Sequence, residues 1–263
     1  MSRLPAALLA LSTLAACATT GEGASQDAGQ TLANAPPARV DRQARERIGR
    51  EDMLTQMAFW AAEYQTFPND IEAARRFADA LRKGARNDRA AQIAQEALAR
   101  FPDDRDLMHT YALAQIANGR PADALQALTL IARAEPENWR VRSALGAAYD
   151  QLGRFDEARA SYAEALAIQP NEPRVLTNIG VSHIMAGEAE EAEAVLRQAT
   201  AVSSAPPEAR QNLAIALALQ GRFEESEQVS RTDLTAAQAA SNTQYLRGLL
   251  ADPRRWGDVG RGG

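Results

Sequence analysis

Four glycines, Gly119, Gly153, Gly187 and Gly221, stand 34 residues apart, and four prolines, Pro68, Pro102, Pro136 and Pro170, keep the same step. Thirty-four residues is the length of one helix–turn–helix repeat. A period held this regularly constrains the chain to a row of helical hairpins, each burying its apolar side against its neighbours. Glycine every 34 residues marks where a first helix ends, because a left-handed residue there is cheapest without a Cβ. Proline at the same step marks the end of a second helix, which it cannot continue. The spacing predicts helix pairs at 71–83 and 87–99, 105–117 and 121–134, 139–152 and 155–168, 173–186 and 189–202, and 207–220 and 223–232. A further helix is expected over 41–66, and a capping helix over 235–251. The last stretch, 252–263, has no helical period and reads as a loose tail.

Composition agrees with closely packed helices. Apolar residues make up 46% of the 263-residue chain but aromatics only 5%, so the core is built from small side chains rather than from bulky inner faces of sheets. The formal charge of −5 gives the chain no electrostatic reason to seek nucleic acid. Its single cysteine excludes an internal disulfide.

The third unit is the clearest. It carries Leu145, Gly146, Tyr149, Ala158, Tyr162, Ala165 and Pro170. These residues resemble the tetratricopeptide (TPR) pattern, with Arg142 where that pattern has tryptophan. The other units carry thinner versions, such as Tyr111, Ala112, Ala124 and Leu128 in the second and Ile179, Gly180, Ala192 and Leu196 in the fourth. The resemblance implies an all-α TPR superhelical solenoid of antiparallel helix pairs, with an N-terminal extra helix and a C-terminal capping helix. Five units are expected from about 71 to 234.

The N-terminus places that array. One basic residue, Arg3, precedes an apolar run from Leu4 to Ala16. Thirteen residues are too few to cross about 30 Å of hydrocarbon but suit a secretory signal sequence, here 1–16. The four residues Leu14, Ala15, Ala16 and Cys17 resemble the lipobox of bacterial lipoproteins. That resemblance implies cleavage before Cys17, a lipid on its thiol and acylation of the new amino group. Ala18 in place of Asp implies an outer-membrane lipoprotein, its body in the periplasm. Several acyl chains on one residue anchor firmly where a single chain does not. Residues 18–40 are rich in Gly, Ala, Ser, Thr, Gln and Pro without an apolar period, and read as a disordered tether.

Nothing in the sequence forms a catalytic, cofactor-binding or metal-ligating constellation, and the chain is not expected to be an enzyme. His183 occupies the tyrosine-like register of the fourth unit and is expected to pack; His109 is on a first helix. In TPR proteins the first helices line a groove. By register the groove candidates are Arg140, Ser143, Arg174, Thr177, Asn178, Gln211 and Asn212, with Asp106, His109, Asp150 and Glu208 also facing it. Two arginines with asparagines suit a peptide backbone or a carboxylate. TPR proteins that clamp chaperone tails use a lysine-rich set; the only lysine here is Lys83, so that ligand is not implied.

The whole layout, from lipobox and tether through about five units to the segment 212–250, resembles the TadD lipoproteins of tight-adherence (Flp, type IVb) pilus systems. What that resemblance implies is an adaptor in building the pilus secretion machine, with the secretin or neighbouring components as protein partners. A general periplasm-facing TPR lipoprotein, serving outer-membrane protein assembly or peptidoglycan enzymes, stays open beside it.

Overall fold

A computed structural model of the chain describes residues 40–251. The leader, Cys17, nearly all of the tether and the tail 252–263 lie outside the described residues. The chain divides into a unit ending at Ala44 and a unit from Arg45 onward. In the described part of the first, Asp41 Oδ1 accepts from the Ala44 amide at 2.7 Å and so starts a helix.

Among the described residues there are thirteen helices and no strand. A short helix, α1 (Arg42–Ile48), and a longer one, α2 (Met53–Thr66), come first. Five pairs follow: α3 (Ile71–Lys83) with α4 (Asn87–Leu98), α5 (Arg105–Ala117) with α6 (Pro121–Ala134), and α7 (Trp139–Gln151) with α8 (Phe155–Ile168). The remaining pairs are α9 (Pro173–Ala186) with α10 (Ala189–Ala201) and α11 (Pro207–Leu219) with α12 (Phe223–Ser230). The last helix is α13 (Ala236–Ala251). Both the first and the second helices of the pairs begin at 34-residue steps, so the period of the sequence is the period of the structure.

Local chemistry sets these boundaries. Asp70, Asp104, Asn138 and Glu172, again 34 apart, are the N-caps of α3, α5, α7 and α9, and each side chain accepts from amides of the first turn. Each first helix ends in the same turn. The amides of Arg86, Arg120, Arg154, Glu188 and Arg222 donate to the carbonyls of Leu81, Gln115, Tyr149, His183 and Leu217 at 2.8–3.0 Å, closing a six-to-one bond. The residue just before each of the last four amides has positive φ: Gly119 and Gly153 at 70°, Gly221 at 77° and Gly187 at 81°. In the first pair that place belongs to Ala85, which takes φ 57° without being glycine.

The expected single helix over 41–66 is two helices. Gly49 follows α1, and Asp52 restarts the chain by accepting from the amides of Leu54 and Thr55, at 2.9 and 3.0 Å. Arg45 of α1 holds the two together. Its guanidinium pairs with Glu63 of α2, with Asp70 at 2.8 Å and with Glu72 of α3 at 3.1 Å, and lies 5.7 Å from the Trp60 ring.

Small residues let the helices of a pair meet. A Cβ on Gly146 of α7 would sit 2.6 Å from Cζ of Tyr162 on α8, and one on Gly180 of α9 would sit 2.6 Å from Cδ2 of Leu196 on α10. The second pair uses Ala112 opposite Leu128, both fully buried. Each first helix also packs against the next first helix, from α3 through to α13, whereas the second helices pack on first helices rather than on one another. The first helices therefore form the inner line of the stack and the second helices its outer line.

Candidate functional site: the inner face of the first helices

Residues at one register of successive first helices stand in a row along the inner face. The second register carries Glu72, Asp106, Arg140, Arg174 and Glu208, and the fifth carries Arg75, His109, Ser143, Thr177 and Gln211. Arg174, Thr177 and Asn178 come together around a shallow cavity of about 300 Å³, shared with Pro206 and Glu208 of the next unit. Arg174 is exposed and makes no ion pair among the described residues. It is the cation this cavity offers to a ligand.

The other candidates divide between structure and surface. Thr177 is buried, and its Oγ1 donates to the Pro173 carbonyl at 2.7 Å, so its hydroxyl is already bonded within α9. Asn178 Nδ2 donates to Ser143 Oγ at 3.0 Å, and Ser143 is itself buried. That pair ties α9 to α7 and leaves the Asn178 carbonyl oxygen as the acceptor it can still offer. Arg140 is exposed at the start of α7, with its guanidinium 4.5 Å from the Trp139 ring. It lines a separate hollow with Pro136 and Asn138. Gln211 belongs to a third cavity, at the C-terminal end of the stack, and Asn212 is half-buried beside it in sequence.

Asp150, expected to face the groove, is turned into the protein and is 4% exposed. Its Oδ2 accepts from the Tyr162 hydroxyl at 2.7 Å and its Oδ1 from Ser182 Oγ at 2.6 Å, so one carboxylate joins α7, α8 and α9. Burial holds Asp150 above the usual carboxylate range; the bonds from Ser182 and Tyr162 oppose that in part. Burial, with the Asp150 carboxylate beside it, pushes the Tyr162 phenol upward. A phenol long enough to reach across the pair is what draws the carboxylate inward. His183 packs as expected, with Nδ1 2.6 Å from Glu188 Oε2.

The first two units present something the groove register foreshadowed only at Asp106 and His109. Glu72, Arg75, Arg76 and Asp79 join these two around a charged hollow. Arg75 is paired with Asp104 and lies 3.1 Å from Asp106, and Asp79 accepts from Arg82 and Lys83. His109 lies among them with Nε2 buried and unbonded within the described residues, and burial, with Arg82 nearby, holds its pKa below the ordinary histidine value. The inner face thus changes along the stack, from charges already paired with one another to the unpaired Arg174. Among the described residues no three His, Cys, Asp or Glu side chains converge as metal ligands would, and no helix is long and apolar enough to cross a membrane.

The tetratricopeptide repeat family matches residues 81–138, 115–177 and 177–240, together more than half of the chain. The chain is a TPR repeat protein. Solved structures agree on the fold. A thermophilic TPR protein of Thermus thermophilus is 24% identical, with a TM-score of 0.58 over 68% of this chain and 96% of its own. A tetratricopeptide repeat protein from Parabacteroides merdae is 15% identical, with a TM-score of 0.60 over 80% of this chain and 84% of its own. At those identities the likeness is one of fold. No curated protein matches the chain in sequence. TPR arrays are protein–protein interaction scaffolds and are typically non-catalytic, and the inner face described above is the surface such a scaffold offers.

Proposed function

We propose that this TPR protein is a lipid-anchored, non-enzymatic adaptor that helps assemble a tight-adherence (Flp, type IVb) pilus secretion machine. Its partner is the secretin or a neighbouring component. Cys17 carries the lipid, the outer membrane holds it, and the helical body works in the periplasm. The observation that carries the reading is the order of parts in one chain: an apolar leader ending at the only cysteine, a short Gly/Ser/Pro-containing spacer, then the TPR stack with its TadD-like C-terminal segment. The exposed, unpaired Arg174 beside Asn178 supports a partner segment that brings a carboxylate or backbone carbonyls to the inner face. A deletion strain is expected to lose surface pili, and a Cys17→Ser protein to lose palmitate label and membrane association. Normal pili in the deletion strain, or a labelled, membrane-bound Cys17→Ser protein, overturns the reading.

A further inference from the structure

The packing rule of the pairs breaks at the last one. Opposite the small residue of the first helix in the second, third and fourth pairs stands a filler on the second helix: Leu128, Tyr162 and Leu196, at 34-residue steps and each nearly or fully buried. In the first pair Ala94 takes that register, and Trp60 and Tyr64 of α2 share its core. One step beyond Leu196 the chain has Ser230, and the matching small residue of α11 is Ala214. Two other departures meet there. The helix α12 stops at Ser230 after 8 residues, where the other second helices run to 12–14. The helix α13 begins at Ala236, five residues ahead of the 34-residue step that Pro207 would set.

The result is a cavity of about 330 Å³ between α11, α12 and α13, with Ala214, Ile215 and Ser230 in its wall. It is at the small end of ligand pockets, about 300–1,000 Å³. Tyr245 stands at its mouth and is 59% exposed, the one exposed large apolar side chain that lines a described cavity. The side-chain amides of Gln211 and Asn242 also line it and bond to no other described residue. The nearby carboxylate, Asp233, is taken by Arg210 at 2.6 and 2.7 Å, so the site carries no free charge.

We infer that this cavity is an anchor pocket for one uncharged, bulky side chain (Leu, Phe or Tyr) on an extended segment of a partner protein, whose backbone the amides of Gln211 and Asn242 receive. The partner supplies in trans the filler that the repeat supplies to itself in the second, third and fourth pairs. Local neutrality selects an apolar anchor, and exposed Tyr245 gives it a surface to pack against. The inference rests on reading the array as a protein-binding scaffold, but not on which machine it serves.

The test titrates the full chain with blocked pentapeptides Gly-Gly-X-Gly-Gly, X being Leu, Phe, Tyr or Ser, and follows amide chemical shifts around Gln211, Ser230 and Asn242. The expected result is binding at least tenfold tighter for Leu, Phe or Tyr than for Ser, localised to those amides. Ser230→Leu, which restores the filler in cis, is expected to weaken binding at least tenfold and leave the melting temperature equal or higher. Tyr245→Ala, at an exposed position, is expected to weaken it several-fold in a folded protein. Equal binding of the Ser peptide, binding unchanged in both variants, or no shifts with any peptide overturns the pocket. Two further outcomes overturn the partner as occupant. Binding that appears only in Trp256→Ser assigns the pocket to the chain's own C-terminal segment, and shifts that depend on protein concentration alone assign it to a second copy. None of these results bears on pili, so the pocket and the pilus role fail separately.

Discussion

At the scale of single residues, glycine serves two different needs in this chain, and the two are separable. Gly153 takes φ 70° with open space around the place of a Cβ, so its need is conformational. Gly146 is helical and lacks room: a methyl there meets the Tyr162 ring. Gly146→Ala is expected to cost about 1–3 kcal/mol, measured by urea unfolding. Adding Tyr162→Leu recreates the Ala112–Leu128 pairing of the second unit. The double variant is expected to recover more stability than the two single effects would give by addition. Asp150 offers a second test with a definite sign. Its native pKa is raised by burial, so the folded chain holds that proton to higher pH than the unfolded one. Its contribution is fully present below the unfolded value of about 3.9 and is lost as pH rises through the native value. Asp150→Asn keeps a partner for both hydroxyls and removes the ionisation. Its stability relative to the parent chain is therefore expected to rise from about pH 3.5 to about pH 7 in denaturant midpoints. Both contacts are half legible in the sequence. The glycine and tyrosine registers stand there, but the inward turn of Asp150 depends on a phenol reaching it from another helix.

At the scale of elements, caps and six-to-one turns decide where helices start and stop, and both are short-range chemistry. That is why the starts of the first four pairs can be read from a period alone; the fifth, α11, starts without a side-chain cap and has Pro207 at its first position instead. The break between α1 and α2 escapes that reading because 41–66 carries no repeat to compare with, and a lone Asp52 after Gly49 is a weak signal without its amide bonds. The longer-range latch at Arg45 escapes it for a different reason: its carboxylates are 18, 25 and 27 residues away. Burial opposes the ionised form of Asp70, and the Arg45 guanidinium together with the amides of Ala73 and Glu72 outweighs it, so that carboxyl is held below its ordinary range. Arg45→Ala leaves Glu63 and Asp70 buried without that cation. It is expected to cost about 3 kcal/mol and to raise amide hydrogen exchange first in α2 and the opening turn of α3. Exchange unchanged in those helices would show that the latch carries no weight.

At the scale of the whole molecule, a stack whose parts touch only their neighbours puts the same register of every unit on the same line. The sequence therefore locates the inner face without locating its ligand. Seven groove candidates follow from register, yet side-chain bonding gives them different fates: Ser143 and Thr177 are buried, Asn178 is half spent on Ser143, and Arg140 leans on Trp139. Register assigns a residue to a face, and only neighbouring side chains decide whether it is available there. Arg174 remains exposed and unpaired on that face, and the last pair opens the cavity at Ser230. Reversing Arg140 and Arg174 to glutamate together is expected to weaken partner capture at least tenfold without changing the melting temperature, since both are exposed. The central claim, that this TPR stack holds a pilus-machine component on its inner face, is tested most directly by photocrosslinking in piliated cells. A photoreactive residue is placed at Arg174, on the inner line, or at exposed Leu130 of α6, on the outer line. The account predicts an adduct with the secretin or its neighbour from position 174 and none from position 130. Adducts from 130 alone, or none from 174 in cells that assemble pili, would contradict it.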